Sequence, residues 1–206
     1  MVNRPARIPL FPLDVVLFPG IPLPLHIFEE RYKLMVGECL EQRHEFGIVM
    51  TREDGIAAVG CTSAILQVVK RYPDGRMDIL TVGRVPFQIS DVFDDKPYLE
   101  AAVEYLEEEP LSEGPSPRPL LTLFEKCYAA LRGQAPRFEG APPGISLTFL
   151  LASELPLELE FKQELLEMRS EEQRQESLRE KMEKWLPELE RIEGMKRRAG
   201  GNGHGP

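Results

Sequence analysis

The sequence predicts an α+β protein: a small antiparallel β-domain curved into a partial barrel, followed by a helical bundle. Three observations carry that prediction. A proline-studded apolar stretch opens the chain, period-two alternation recurs through the rest of the first hundred residues, and the apolar period becomes helical beyond a proline- and acid-rich break. Residues 1–108 are therefore expected to form the β-domain, 109–119 a linker, 120–198 the helical bundle and 199–206 a disordered, glycine-rich tail.

The opening stretch, residues 7–32, reads RIPLFPLDVVLFPGIPLPLHIFEERY. Its prolines at 9, 12, 19, 22 and 24 rule out a long helix or a membrane span, because each ring fixes φ and removes an amide donor. Short strands at 8–11, 15–18 and 21–25, with Pro19-Gly20 as the turn between the last two, fit that composition. In residues 29–42, Tyr32, Met35, Val36, Cys39 and Leu40 recur at helical spacing, and FGIVMT at 46–51 reads as a buried strand closed by Glu53-Asp54-Gly55. Residues 64–72 and 76–81 make a hairpin about Pro73-Asp74-Gly75, since proline presets φ and glycine accepts a positive one. Val85, Phe87 and Ile89 alternate in the next strand, and Leu99, Ala101, Val103 and Tyr105 in the one after. About seven short strands and one helix leave little room for parallel crossovers.

Residues 107–119 hold too many acids and prolines to bury surface of their own. Beyond them, Leu120, Leu121, Leu123, Phe124, Cys127, Tyr128 and Leu131 form one apolar helix face, ended by Gly133. Residues 145–153 and 157–168 read as two short helices. Ser170 and Gln173 make a capping box for a last helix whose apolar side carries Leu178, Met182, Trp185, Leu186, Leu189 and Ile192. Pro187 is expected to bend or break that helix.

Composition bounds function. With 206 residues, 42% apolar and 29% charged, the chain has the make-up of a soluble globular protein. A net charge of −9 argues against phosphate backbones as partners, because nucleic-acid affinity rests on Lys and Arg releasing counterions. Three widely spaced cysteines, an odd number, argue against a disulfide framework and for a reducing compartment. No apolar run reaches the ~20 residues of a membrane span and no signal-peptide core opens the chain, so a cytoplasmic location is expected.

The run Pro9-Leu10-Phe11-Pro12-Leu13, then Val15-Val16-Leu17-Phe18-Pro19-Gly20, Leu23-Pro24-Leu25 and Phe28-Glu29 with Arg31-Tyr32, closely resembles the opening of the Lon protease amino-terminal domain. It is most similar to free-standing bacterial proteins that carry this domain alone. Where the family pattern has proline between the Glu and the Arg, this chain has Glu30. The resemblance implies a PUA-like β-domain with a helical bundle after it, a role in substrate recognition, and no cofactor. It covers only the recognition part of a Lon protease. Within these residues there is no G-x-x-x-x-G-K-[ST] phosphate cradle, no G-x-S-x-G elbow and no H-E-x-x-H helix, so the chain is not expected to be an enzyme.

No histidine or cysteine pair has ligand spacing, so His26, His44, Cys39 and Cys61 read as packed or surface residues and no metal is expected. Phe28, Glu29, Arg31 and Tyr32 have two readings. They line a groove on the β-domain with Arg31 open to a carboxylate or backbone oxygen, or Glu29 supports the helix start, Arg31 pairs with an acid and Tyr32 packs. Trp185 belongs to the apolar stripe, yet an opening at Pro187 would expose it as a peptide anchor. The acidic clusters at 107–109 and 171–172 read as solvated surface.

Three functions follow from this. The first is a binding module that holds exposed apolar or unstructured polypeptide, through a shallow apolar groove or a strand edge, and cooperates with a separate protease or chaperone. The second is a PUA-like small-ligand or RNA binder using Lys70, Arg71, Arg76 and Arg84. The third, a peptidase, rests on similarity to the whole protease. The oligomeric state is not legible.

Overall fold

A computed structural model describes residues 5–109, 116–137, 141–142 and 144–200. Most of the expected tail and the middle of the expected linker lie outside the described residues. The elements run β1 (Arg7–Leu13), β2 (Pro22–Ile27), α1 (Glu30–Gln42), β3 (Phe46–Arg52), β4 (Gly55–Arg71), β5 (Met77–Phe93), β6 (Glu100–Tyr105), α2 (Arg118–Arg132), α3 (Leu147–Glu154), α4 (Leu159–Glu167) and α5 (Glu171–Gly200).

The sheet order is β2-β5-β4-β3-β1-β6, and β6 also pairs with the second half of β5, from Phe87↔Tyr105 to Phe93↔Glu100. Strands β1, β3, β4, β5 and β6 therefore close into a ring. Alternate residues point inward, so Ile8, Leu10, Val49, Phe87, Ala101 and Val103 fill the interior. Phe87 dictates what can face it. A Cβ on Gly47 would lie 2.6 Å from the tip of the Phe87 ring, and one on Gly60 would lie 2.6 Å from the Ile48 carbonyl oxygen. The glycine- and alanine-rich start of β4 carries little strand signal for the same reason that the ring can close around it.

The opposite faces of these strands present Phe11, Phe46, Ile48, Val59 and Cys61 to a second, larger cluster that continues into the helices through Phe124, Phe149, Leu165, Leu178 and Met182. The free thiols of Cys39, Cys61 and Cys127 are all buried there. Burial pushes Cys39 up to about 12 and Cys127 up to about 11, so these side chains behave as small hydrophobes rather than nucleophiles.

Several local expectations change. The β-region has fewer and longer strands than expected, because β4 and β5 are continuous and bend at bulges instead of breaking. β1 and β3 pair in parallel, Leu10 opposite Gly47, since β2 and α1 between them supply the long crossover such a pair requires. Residues 15–18 are not a strand. Leu17 and Phe18 are buried instead, and Gly83 packs so closely on Phe18 that a Cβ there would lie 2.2 Å from its carbonyl oxygen. The Pro19-Gly20 turn does form, with Gly20 at φ +79° and the Ile21 N–H donating to Phe18 O at 3.1 Å. At the hairpin end, Gly75 at φ +84° donates to Tyr72 O at 3.0 Å. α5 runs unbroken through Pro187; Leu186 and Leu189 pack into the core on either side, offsetting the one lost backbone hydrogen bond.

Candidate functional site

The first turn of α5 packs against the start of α3 and the segment that follows β6. Arg174 is fully buried there, and its guanidinium lies 4.4 Å from the centre of the Phe149 ring, which stacks on Phe18 at 4.8 Å. Nη1 donates to Met168 O at 2.8 Å, while Nε and Nη2 donate to Glu171 Oε2 at 3.2 and 2.9 Å. Nη2 also donates to Glu108, which is 48% exposed. Glu171 in turn accepts from Ser146 Oγ at 2.5 Å, from the Thr148 N–H and hydroxyl at 3.1 and 2.9 Å, and from Gln175 at 3.2 Å. Burial raises the Glu171 carboxyl, but the hydrogen bonds from Ser146, Thr148, Arg174 and Gln175 outweigh it and hold the group below the usual carboxylate range.

This corrects the sequence reading of Glu171 as solvated surface. Its i, i+3 spacing to Arg174 puts the two on one helix side, and the partners from α3 turn that side inward. Ser146 also caps α3, accepting from Phe149 N at 3.2 Å, so one carboxylate and one hydroxyl satisfy the amides that open α3. From Ser170, the expected cap of α5, it is the backbone carbonyl that accepts the Arg174 N–H, at 3.1 Å.

Beside this network lies a groove of about 640 Å³. Its apolar wall combines Pro19 from the opening turn, Val85 and Pro86 from β5, Leu106 after β6, and Ile145 and Leu147 at the start of α3, with Phe149 behind them. All but Phe149 are half-buried. Arg84, 3.8 Å from Glu45, and the exposed Glu107 and Glu108 also line it. A larger depression of about 1090 Å³ runs along α5 past α2, but charged and polar side chains such as Glu172, Glu176, Arg179 and Glu180 wall it. Of these two, the smaller groove offers apolar side chains more surface to bury against.

The residues singled out in the sequence lie elsewhere. Phe28 is 60% exposed, between β2 and α1, and its ring lies 6.0 Å from His26. Arg31 Nε donates to Glu29 at 2.8 Å and the guanidinium sits 4.5 Å above Tyr32, which is buried and stacks on Phe11 at 4.0 Å. Glu29 is the N-cap of α1 but makes no side-chain cap bond. Trp185 is half-buried on α5 against the larger cluster. Among the described residues no hydrogen bond, ion pair or ring contact joins it to the group at α1. The groove residues escaped sequence reasoning because they come from separate segments of the chain, and the alternation that marks Val85 does not link it to Pro19, Leu106 or Ile145. The available signal was Pro19 before β2, Pro86 within β5 and the apolar Leu106 just before the acidic run.

His26 and the cations of the hairpin end are occupied locally. His26 Nδ1 lies 2.5 Å from Asp78, which also accepts from Tyr72 OH at 2.8 Å. Hydrogen bonds from His26 and Tyr72 hold the Asp78 carboxyl below its ordinary value. Lys70 and Arg76 flank the Tyr72 ring at 4.4 and 5.0 Å, and Arg76 pairs with Asp74 at 2.8 Å. Among the described residues no group of three His, Cys, Asp or Glu side chains is placed to hold a metal ion, and no helix is long and apolar enough to cross a membrane.

Comparison with known proteins bears on this geometry. A family model described as the ATP-dependent protease La (LON) substrate-binding domain matches residues 7–184. Lon protease of Escherichia coli (strain K12) is 27% identical over 197 residues, which cover 86% of this chain and 24% of that protein. Lon protease of Amoebophilus asiaticus (strain 5a2) is 28% identical over 77% of this chain and 21% of its own length. The chain thus spans between a fifth and a quarter of these relatives. Among solved structures, the Lon N-terminal domain protein from Xanthomonas campestris superposes with a TM-score of 0.67 at 26% identity, covering 84% of this chain and 96% of that one. The N-terminal domain of Mycobacterium avium complex Lon protease shares the fold, with a TM-score of 0.58 at 16% identity over 86% of this chain and 98% of that one.

Proposed function

From the premise that this chain belongs to the Lon substrate-binding domain family, we propose that it holds unfolded or exposed polypeptide segments without cutting them. The single observation that carries the reading is the apolar groove between ring and helices. An unfolded segment offers apolar side chains, and Val85, Leu106, Ile145 and Leu147 give them a half-buried surface to complete. Such a groove recognises side-chain type rather than sequence, so affinity is weak and promiscuous. The sheet edges serve less well. β2 carries prolines at 22 and 24, and the outer half of β4 is bulged, both of which spoil pairing with an added strand.

Phe28 supplies an exposed aromatic contact outside the groove, with Arg31 as a partner for carboxylates or backbone oxygens. Tyr32 and Glu29 hold Arg31 in place from below and beside it. Trp185 contributes through its exposed part on α5. A separate protease or chaperone receives the held segment.

Titration of a reduced, carboxymethylated globular protein against this chain tests the reading. Binding on the order of 10 μM is expected, with the folded form of the same protein not bound. Replacing two groove residues that stand outside the core, Val85→Ser with Ile145→Ser, is expected to weaken binding about fivefold, in line with the loss of ~1 kcal/mol of apolar burial. Equal binding of the folded and unfolded forms would overturn the reading.

A further inference from the structure

Two exposed carboxylates, Glu107 and Glu108, line the groove. Arg174 is already matched by Glu171, whose Oε2 takes two of its N–H groups, so Glu108 meets a guanidinium whose charge is compensated. Only Oε1 of Glu108 is engaged. Glu107 is exposed, and among the described residues its carboxylate has no hydrogen bond or ion pair. Both acids are held in position by their backbone. Arg169 Nε and Nη2 donate to Glu107 O at 2.9 and 2.7 Å, and the Glu109 N–H donates to Arg169 O at 2.9 Å. Arg84, the cation that lines the groove, lies 3.8 Å from Glu45.

We infer that the groove selects segments in which an apolar anchor is flanked by lysine or arginine. This rests on the reading of the groove as a polypeptide site and names the class of segment it prefers. An anchor seated against Leu106 and Leu147 brings a neighbouring cation toward Glu107 and Glu108, while a neighbouring carboxylate is repelled. The chain's net charge of −9 acts in the same direction at longer range.

Fluorescence anisotropy with three labelled peptides decides it. Each carries a Leu-Phe anchor in a Gly-Ser background, flanked by two lysines, by two glutamates or by neither. The lysine peptide is expected to bind about tenfold more tightly than the glutamate peptide at ~50 mM salt, and less than about twofold more tightly at ~1 M. Glu107→Gln with Glu108→Gln is expected to reduce that preference about threefold and to leave the neutral peptide unaffected. Gln at 108 keeps an oxygen for Arg174, and Glu107→Gln alone, at an exposed position, serves as a variant with no folding risk. Neutral peptide bound with no preference between the charged pair would overturn this inference and leave the groove standing. No binding of any peptide would overturn both.

Discussion

The ring interior and the junction at α5 are both buried, and they are built in opposite ways. The interior is dry and apolar, and its shape is set by one large ring, Phe87, against glycines at 47 and 60. The junction places a buried Arg174 and Glu171 at its centre and surrounds them with donors and acceptors from α3, the 106–109 segment and α5. An apolar core tolerates changes of pH and salt but not of volume. A satisfied charge pair costs stability when either partner is removed, and its worth changes with protonation. The groove lies on the second kind of ground.

The difference is broken most forcefully at Arg174. Arg174→Leu strands Glu171 as a buried charge and is expected to cost about 3–5 kcal/mol at pH 7 in chemical denaturation. The Glu171 carboxyl is depressed in the fold, so the junction's contribution is complete above the unfolded carboxylate value near ~4.3 and is lost as pH falls through the folded value. The deficit of Arg174→Leu should therefore shrink toward pH ~3, as the Glu171 carboxyl, left without its guanidinium in the variant, takes up a proton. A deficit equal at both pH values would assign the cost to lost packing on Phe149 instead.

The ring offers the opposite test. Gly60→Ala drives a methyl against the Ile48 carbonyl and the Phe87 ring and is expected to cost about 1–3 kcal/mol, to the same extent at pH 7 and pH 4. A pH-dependent cost would mean that the strain reaches the junction. The smallest effect belongs to Phe28→Ala. With its ring 60% exposed, stability should stay within ~0.5 kcal/mol, while affinity for unfolded protein falls about twofold. Unchanged affinity would confine binding to the groove.

The opening motif was legible because prolines and apolar residues alternate there in a long, specific pattern, and the Pro19-Gly20 and Pro73-Asp74-Gly75 turns followed from their own chemistry. α1 and α2 emerged from period alone, to within a residue or two of their ends. The groove was hidden because its walls come from Pro19, Val85, Leu106 and Ile145, residues far apart in the chain with no shared period. Glu171 was misread for a related reason: an acid in a charged run looks solvated until a neighbouring element supplies its partners.

By itself the sequence determined the class of fold, the change from strands to helices after residue 106 and the absence of familiar catalytic motifs, since each depends on residues close in the chain. Only the tertiary structure decided that β6 closes the ring, that β1 and β3 run in parallel, and that a charge pair and an apolar groove share the junction. Strand order and burial depend on which distant surfaces meet, and the free energy of that meeting belongs to pairs of segments rather than to either one.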